Sequence, residues 1–282
     1  MTPERALDLL GWTHHHGKGV RKIMKRVIRW TLVSCIMVIG VVGLVRGAGL
    51  AAAPKSGAVQ LFNGQDLTGF DTFLQKKGKN NDPDKVFTVN DGVIHVSGKE
   101  YGYFITQKEY ENYDLAVEFK WGEATRPPRK DKARDSGILY HVTGPDKIWP
   151  ESVEFQMIEG GTGDLILVGG ASMDYSAAVA GRAVGAKLSD DGKRYLSGRI
   201  DRLNKGDWKD VVGYRNANEV EHAHGEWNTL ELIADGDTYT YKVNGKLVNQ
   251  GTGLRPRKGK ILFQSEGAEL FFRKIELRPL EK

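Results

Sequence analysis

The residues best suited to chemistry fall in two short segments. Asp135-Ser136-Gly137-Ile138-Leu139-Tyr140-His141 and Glu154-Phe155-Gln156-Met157-Ile158-Glu159 both read as strands. Successive side chains of a strand point to opposite faces. Asp135, Gly137, Leu139 and His141 therefore share one face, and Glu154 and Gln156 lie opposite Val153, Phe155 and Met157. A face carrying Asp, His, Glu and Gln is costly to bury in an apolar core. The four polar residues are expected together on the concave, solvent-filled side of a sheet. Glu154 and Glu159 offer the acid, base or nucleophile pair of carboxylate chemistry. His141 is the first choice for a base or ligand, because an imidazole changes charge near neutral pH.

Other positions extend this set. Gln264 ends a strand and is expected on the same concave side, and Arg273 is a candidate for binding a substrate oxygen. Trp149, beside Pro150 in the loop before Glu154, is the candidate platform for stacking against an apolar ring face. His222 and His224, two apart beside Glu226, are the candidate metal ligands, although such a pair in a charged loop is also ordinary solvated surface. His95 in a hairpin strand and Trp227 in Gly225-Glu226-Trp227-Asn228 read as structural.

The elements that must position these residues are short and alternate in polarity. Val86–Val89 and Val93–Val96 flank Asn90-Asp91-Gly92, a hairpin by its Asp-Gly turn. Strands are expected at Tyr103–Thr106, Asp114–Trp121, Gly137–Val142, Val153–Ile158, Leu165–Val168, Thr229–Ala234, Thr238–Val243, Lys260–Gln264 and Glu269–Leu277, with a second tight turn at Asn244-Gly245. About a dozen strands with almost no helical periodicity predict an all-β antiparallel sandwich or jelly roll. Ala171–Glu221 lacks a clean period and is expected to form long loops with one or two strands that help shape a site.

The first 53 residues form a separate unit. A basic run from Lys18 to Arg29 precedes a predominantly apolar run of 16 residues, Trp30 to Val45, and then Arg46 and small residues to Ala53. This is the pattern of an export leader, a signal peptide cleaved near Ala51–Ala53 or a signal anchor. The apolar run is short for a membrane span, which takes about 20 residues. The domain proper is then 54–282, and the membrane enters only through the leader. The chain has 41 Lys+Arg and 36 Asp+Glu; the leader holds 8 and 2 of these, leaving 33 against 34. The basic excess belongs to the leader, so the domain gives no case for nucleic-acid binding. The single cysteine, Cys35, and three of the seven histidines also lie in the leader. The domain works without thiols or disulfides, in a periplasmic or extracellular setting.

Several segments, in order, resemble the 3-keto-disaccharide hydrolase family, whose domain is a concanavalin-like (lectin-like) jelly roll. They are Leu61-Phe62-Asn63-Gly64-Gln65-Asp66-Leu67-Thr68-Gly69-Phe70, Tyr101-Gly102-Tyr103-Phe104-Ile105-Thr106, Asp135-Ser136-Gly137, Val153-Glu154-Phe155-Gln156, Gly225-Glu226-Trp227-Asn228 and Ile261-Leu262-Phe263-Gln264. The chain departs from the family pattern at Asp135, His141, near Glu266 and at Lys274, where the family usually carries Asn, Arg, His and Asn. The resemblance implies a carbohydrate substrate and cleavage of a 3-keto glycoside. A base removes the acidified C2 proton, the C1 substituent is expelled, and water adds to the enone. A divalent metal held by carboxylate and imidazole is one way to stabilise the enolate. Glu154-x-Gln156-x-x-Glu159 also resembles the catalytic strand of laminarinase-type retaining glycosidases, with Gln156 in place of the central acid. A non-catalytic carbohydrate-binding module is the third reading, since this fold serves binding as readily as catalysis.

Overall fold

The computed structural model describes residues 57–175 and 182–281. The leader expected over residues 1–53, with His14–His16 and Cys35, lies outside the described residues. Within them the chain forms β-strands and no α-helix, and no helix is long and apolar enough to cross a membrane.

One sheet contains β1 (Val59–Gln60), β4 (Phe87–Asn90), β5 (Val93–Val96), β7 (Tyr113–Thr125), β14 (Asn228–Asp235), β15 (Thr238–Val243), β16 (Lys246–Gly251) and β18 (Ala268–Pro279). Its order is β16-β15-β14-β7-β18-β5-β4, with β1 on β18. The other contains β2 (Phe70–Leu74), β3 (Gly78–Lys79), β6 (Gly102–Thr106), β8 (Asp135–Thr143), β9 (Glu151–Ile158), β10 (Leu165–Val168), β11 (Met173–Asp174), β12 (Ala183–Leu188), β13 (Arg194–Ile200) and β17 (Lys260–Ser265). Its order is β11-β13-β10-β9-β8-β17-β6-β2-β3, with β12 on β13. All pairings are antiparallel, and the fold is the expected jelly-roll sandwich. The two predicted tight turns form as Asp91-Gly92 and Asn244-Gly245, each with both residues at positive φ (50° and 76° in each case). That is the geometry a right-twisted hairpin requires.

The core lies between the sheets. Leu230, Leu232 and Ala234 of β14 and Tyr239, Tyr241 and Val243 of β15 are buried in strict alternation with more exposed neighbours. Aromatic side chains bridge the layers. Phe155 stacks on Tyr241 at 4.1 Å, and Phe104 stacks on Phe263 at 4.8 Å while meeting Phe87 and Phe272 edge-on at 5.8 Å. In the ten-stranded sheet, β8, β9 and β17 are buried on both faces. Their inner face belongs to the core, and loops cover the outer one.

Three chain crossings between the sheets meet at one end of the sandwich: 97–101 (β5 to β6), 126–134 (β7 to β8) and 266–267 (β17 to β18). Arg126 ties them together. Its backbone N–H donates to Gly267 O at 2.7 Å, and its Nε donates to Ser97 O at 2.8 Å. Tyr101, Arg129 and Glu266 are thereby delivered to the end of the sheet that carries Asp135. Because Phe104 joins both sheets beneath this end, Phe104→Ala should lower unfolding free energy by about 3–5 kcal/mol, the usual cost of emptying a buried aromatic site. Urea unfolding followed by tryptophan fluorescence measures it.

Candidate functional site: a carboxylate cluster on the outer face of the ten-stranded sheet

Cross-strand register sets the site. On the outer face Gly137 lies opposite Gln156, and Leu139 opposite Glu154. Leu139 faces Leu262, which places Gln264 beside Gly137 and Tyr103 beside Gln264. Ile166 pairs with Glu154 on one side and Arg199 on the other, so Arg199 arrives on the same row.

Asp135, Glu154, Gln156 and Gln264 thus share one face, but that face is not solvent-filled. Their exposures are 8%, 5%, 3% and 2%. This corrects the expectation of a hydrated surface: the crossing loops close over it. Gly137 makes the arrangement possible. A methyl group at this position would overlap both Glu154 Oε1 and Gln264 Oε1, so the two side chains lean into the space that glycine leaves empty. Gln264 Oε1 has no hydrogen-bond partner among the described residues.

The charges are incompletely balanced. Gln156 Nε2 donates to Asp135 Oδ1 at 2.7 Å, and Arg129 Nη2 stands 3.4 Å from Asp135 Oδ2. Arg129 is shared with Asp210, to which it donates at 2.7 and 3.3 Å. Arg199 is shared with Asp164 at 3.6 Å, and Asp164 also binds Lys205. A third carboxylate, the half-buried Glu266, enters from the β17–β18 crossing. Burial pushes Glu154 up to about 8, reinforced by the negative charge of Asp135. Asp135 is pushed up to about 6 by burial against the pull of Arg129 and Arg199. Glu266 is raised by burial and then by Asp135 and Glu154. Burial dominates each shift, and mutual repulsion adds to it. Around neutrality the cluster holds both an ionised and a protonated carboxyl group.

Several expected site residues lie elsewhere. His141 follows a β-bulge after Tyr140 and has φ of +54°, so its side chain turns away from the face of Asp135. Its ring contacts Tyr113 and Tyr140 and is 1% exposed; Nδ1 donates to Pro256 O at 3.1 Å, and Nε2 has no partner among the described residues. Burial lowers it to about 4, so it stays neutral inside the sandwich. Glu159 is not beside Glu154 in function. It accepts from Arg134 Nη1 at 2.7 Å and from the Gly213 backbone at 3.0 Å, a buried ion pair that anchors the loop after β13. Arg273 belongs to the other sheet, where it pairs with Glu118 and lies over Trp227 at 4.3 Å. His222 Nδ1 donates to Trp227 O at 2.8 Å, and His224 Nε2 meets Glu123 Oε1 at 3.1 Å.

The donor set does not suit the metal considered from sequence. Among the described residues no imidazole reaches the carboxylate cluster, and no three His, Cys, Asp or Glu side chains are placed to hold one ion. Arg129 and Arg199 supply the positive charge that acts on Asp135. Sequence reasoning passed over Arg129, Arg199 and the role of Gly137, and it marked Glu266 only as lying near a departure from the family pattern. Tyr101 and Gly137 stood in motifs that carry the resemblance, without a role assigned to them.

The raised values carry a stability consequence. A carboxyl group raised from 4.5 in the unfolded chain to about 8 in the fold contributes fully below pH 4.5 and loses that contribution as pH rises to 8. Wild-type stability should therefore fall between pH 5 and pH 8. Glu154→Gln should flatten the decline and be more stable than wild type at pH 8 by at least about 1 kcal/mol. Urea midpoints at both pH values test this, and an unchanged slope would contradict it.

A candidate glycosyl hydrolase of Parabacteroides distasonis has the same fold, with a TM-score of 0.50 and 23% identity over 80% of this chain and 94% of that one. A second candidate glycosyl hydrolase from that organism gives 0.46 and 20% over 79% and 99%. A Bacillus licheniformis β-glucanase gives 0.43 and 10% over 79% and 99%. No curated protein matches the sequence. The model of the 3-keto-alpha-glucoside-1,2-lyase-like domain matches residues 57–278. From the first strand to the last, the chain belongs to the 3-keto-alpha-glucoside-1,2-lyase-like family.

Proposed function

We propose that this chain is an exported enzyme that cleaves 3-keto glycosides by elimination and hydration at the Asp135–Glu154–Glu266 cluster. The observation that carries the reading is two buried carboxyl groups on one covered sheet face, Asp135 and Glu154, with the half-buried Glu266 beside them from the β17–β18 crossing; Glu154 is pushed to about 8 and Asp135 to about 6. Such a set offers an acid and a base at the same pH.

The steps follow from the substrate. A C3 carbonyl acidifies the C2 proton, and the ionised member of the Asp135–Glu266 pair removes it. The C2–H electron pair becomes the C1=C2 double bond as the C1–O bond breaks. Protonated Glu154 supplies the proton to the leaving oxygen. Arg129 and Arg199 offset the negative charge that builds on the C3 oxygen during proton removal. Water then adds its oxygen to C1 and a proton to C2, giving the free 3-keto sugar and restoring the carboxyl groups. Gln156 positions Asp135 by its 2.7 Å hydrogen bond. The retaining alternative needs a second carboxylate about 5–5.5 Å from Glu154, and Glu159 is already committed to Arg134. The leader of residues 1–53 supports delivery to the periplasm or exterior.

The purified domain should turn over a 3-keto-glucoside and leave the unoxidised glucoside intact. Turnover of both would favour conventional hydrolysis, and binding without turnover of either would leave a carbohydrate-binding module. The rate should be bell-shaped in pH, rising through about 6 as the base ionises and falling through about 8 as Glu154 loses its proton. Glu154→Gln should lower kcat by roughly a hundredfold or more, the usual worth of a placed acid. A flat pH profile or a fully active variant would remove Glu154 from the mechanism.

A further inference from the structure

Arg129 Nη2 has three acceptors for two hydrogens. It donates to Asp210 Oδ1 at 2.7 Å while Nη1 donates to Asp210 Oδ2 at 3.3 Å, the two-pronged grip of a guanidinium on a carboxylate. Nη2 also donates to Ala133 O at 2.9 Å. A terminal guanidinium nitrogen carries two hydrogens, and these two acceptors take both. Asp135 Oδ2, 3.4 Å from the same nitrogen, therefore feels the charge of Arg129 but receives no hydrogen bond from it. The stem of Arg129 packs against Gly267, where a methyl group would come within 3.1 Å of its Cβ and Cγ. That contact keeps the guanidinium in the neighbourhood of the two aspartates.

Asp210 comes from the long loop 201–227 between β13 and β14, not from the strands that carry the cluster. Residues on either side of it are pinned. Trp208 Nε1 donates to Glu159 O at 3.0 Å, the Val212 N–H to Asp131 O at 3.3 Å, and the Gly213 N–H to Glu159 Oε2 at 3.0 Å. The position of Asp210 thus does not depend on its own ion pair, and its side chain is one-third exposed. Lys132, from the same crossing as Arg129, stands 3.5 Å from it. The other charged or titratable groups around Arg129 are Asp135 of β8, Glu266 of the β17–β18 crossing and Tyr101 of the β5–β6 crossing, whose ring meets Trp149 at 6.2 Å. Glu154 of β9 and Arg199 of β13 complete the set around Asp135. Burial raises Asp135 most, Arg129 is the strongest neighbour drawing it down, and Asp210 pushes it back up.

We propose that Asp210 is a positioning residue: by gripping the Arg129 fork it withholds a hydrogen bond from Asp135 and keeps that carboxylate a strong base. The inference rests on the reaction proposed above and names what sets the strength of its base. In Asp210→Ala, Nη2 regains a hydrogen for Asp135, and a charge-assisted bond favours the ionised carboxylate. Carbon-13 titration of the Asp135 carboxyl reads this without turnover, the signal being identified by its loss in Asp135→Asn. The midpoint should fall by about half a pH unit or more in Asp210→Ala. The acid limb of kcat for a 3-keto-glucoside should move down with it while the basic limb stays with Glu154, and Asp210→Glu should restore the acid limb. In Arg129→Gln protein, adding Asp210→Ala should move the midpoint far less, because no guanidinium remains to be released. A midpoint that stays in place in Asp210→Ala, or moves equally without Arg129, would overturn the inference and leave the reaction standing. A midpoint that moves while the acid limb does not would show that Asp135 is not the base, and would overturn the inference together with that step. Failure of wild type to cleave the keto compound would remove the reaction, and the role of Asp210 with it.

Discussion

Asp135 and Glu154, buried on a covered sheet face, and the half-buried Glu266 beside them share two arginines, and the character of this site follows from that competition. Arg129 is divided between Asp135 and Asp210, and Arg199 is drawn toward Asp164. Neither is free to neutralise Glu154. An ionised carboxylate without a dedicated partner is costly at 5% exposure, so Glu154 retains its proton well above the usual range. Asp135, nearer a guanidinium and bonded by Gln156, ionises earlier. Unequal shares of the same two cations separate groups that would otherwise titrate together.

The fold creates this situation with few residues. Gly137 supplies the space into which Glu154 and Gln264 lean, and the Arg126 ties hold the crossings that bring Arg129, Glu266 and Tyr101 into place. The opposite face of the same strands packs Ile138, Phe155 and Phe263 into the core. The strands thus fix the polar groups from below with close-packed aromatics, which is how a site gains rigidity without spending its own hydrogen bonds. The apolar cluster of Tyr103, Ile105, Leu139, Val142 and Leu262 extends the same face beyond the carboxylates.

The strand pattern, both Gly-containing hairpin turns and the jelly roll were legible because alternation of polarity maps directly onto a half-buried strand. The same rule grouped Asp135 with Glu154 and Gln156. It failed for His141, six residues from Asp135, because a bulge after Tyr140 breaks the period of two and turns the imidazole inward. Arg273 alternates correctly within its strand, yet β18 lies in the other sheet, which no local pattern reveals. Glu159 looked like a partner for Glu154 by spacing, whereas Arg134 claims it through a contact 25 residues distant. Glu266 and Arg129 sit in crossings without periodicity. Arg199 lies in β13, whose pairing with β10 depends on long-range register. Hydration was also misjudged: polar side chains signalled an outer face correctly but could not report the loops that cover it.

In the proposed reaction this cluster of carboxyl groups breaks the C2–H bond. The most direct test uses a 3-keto glycoside carrying deuterium at C2 and examines the released sugar by mass spectrometry. Elimination followed by hydration exchanges that atom with the solvent, so the product should have lost its deuterium, with a primary isotope effect if proton removal limits the rate. A product that keeps the C2 deuterium would show that the glycosidic bond is cleaved without touching C2. That result would contradict the account given for Asp135, Glu154 and Glu266.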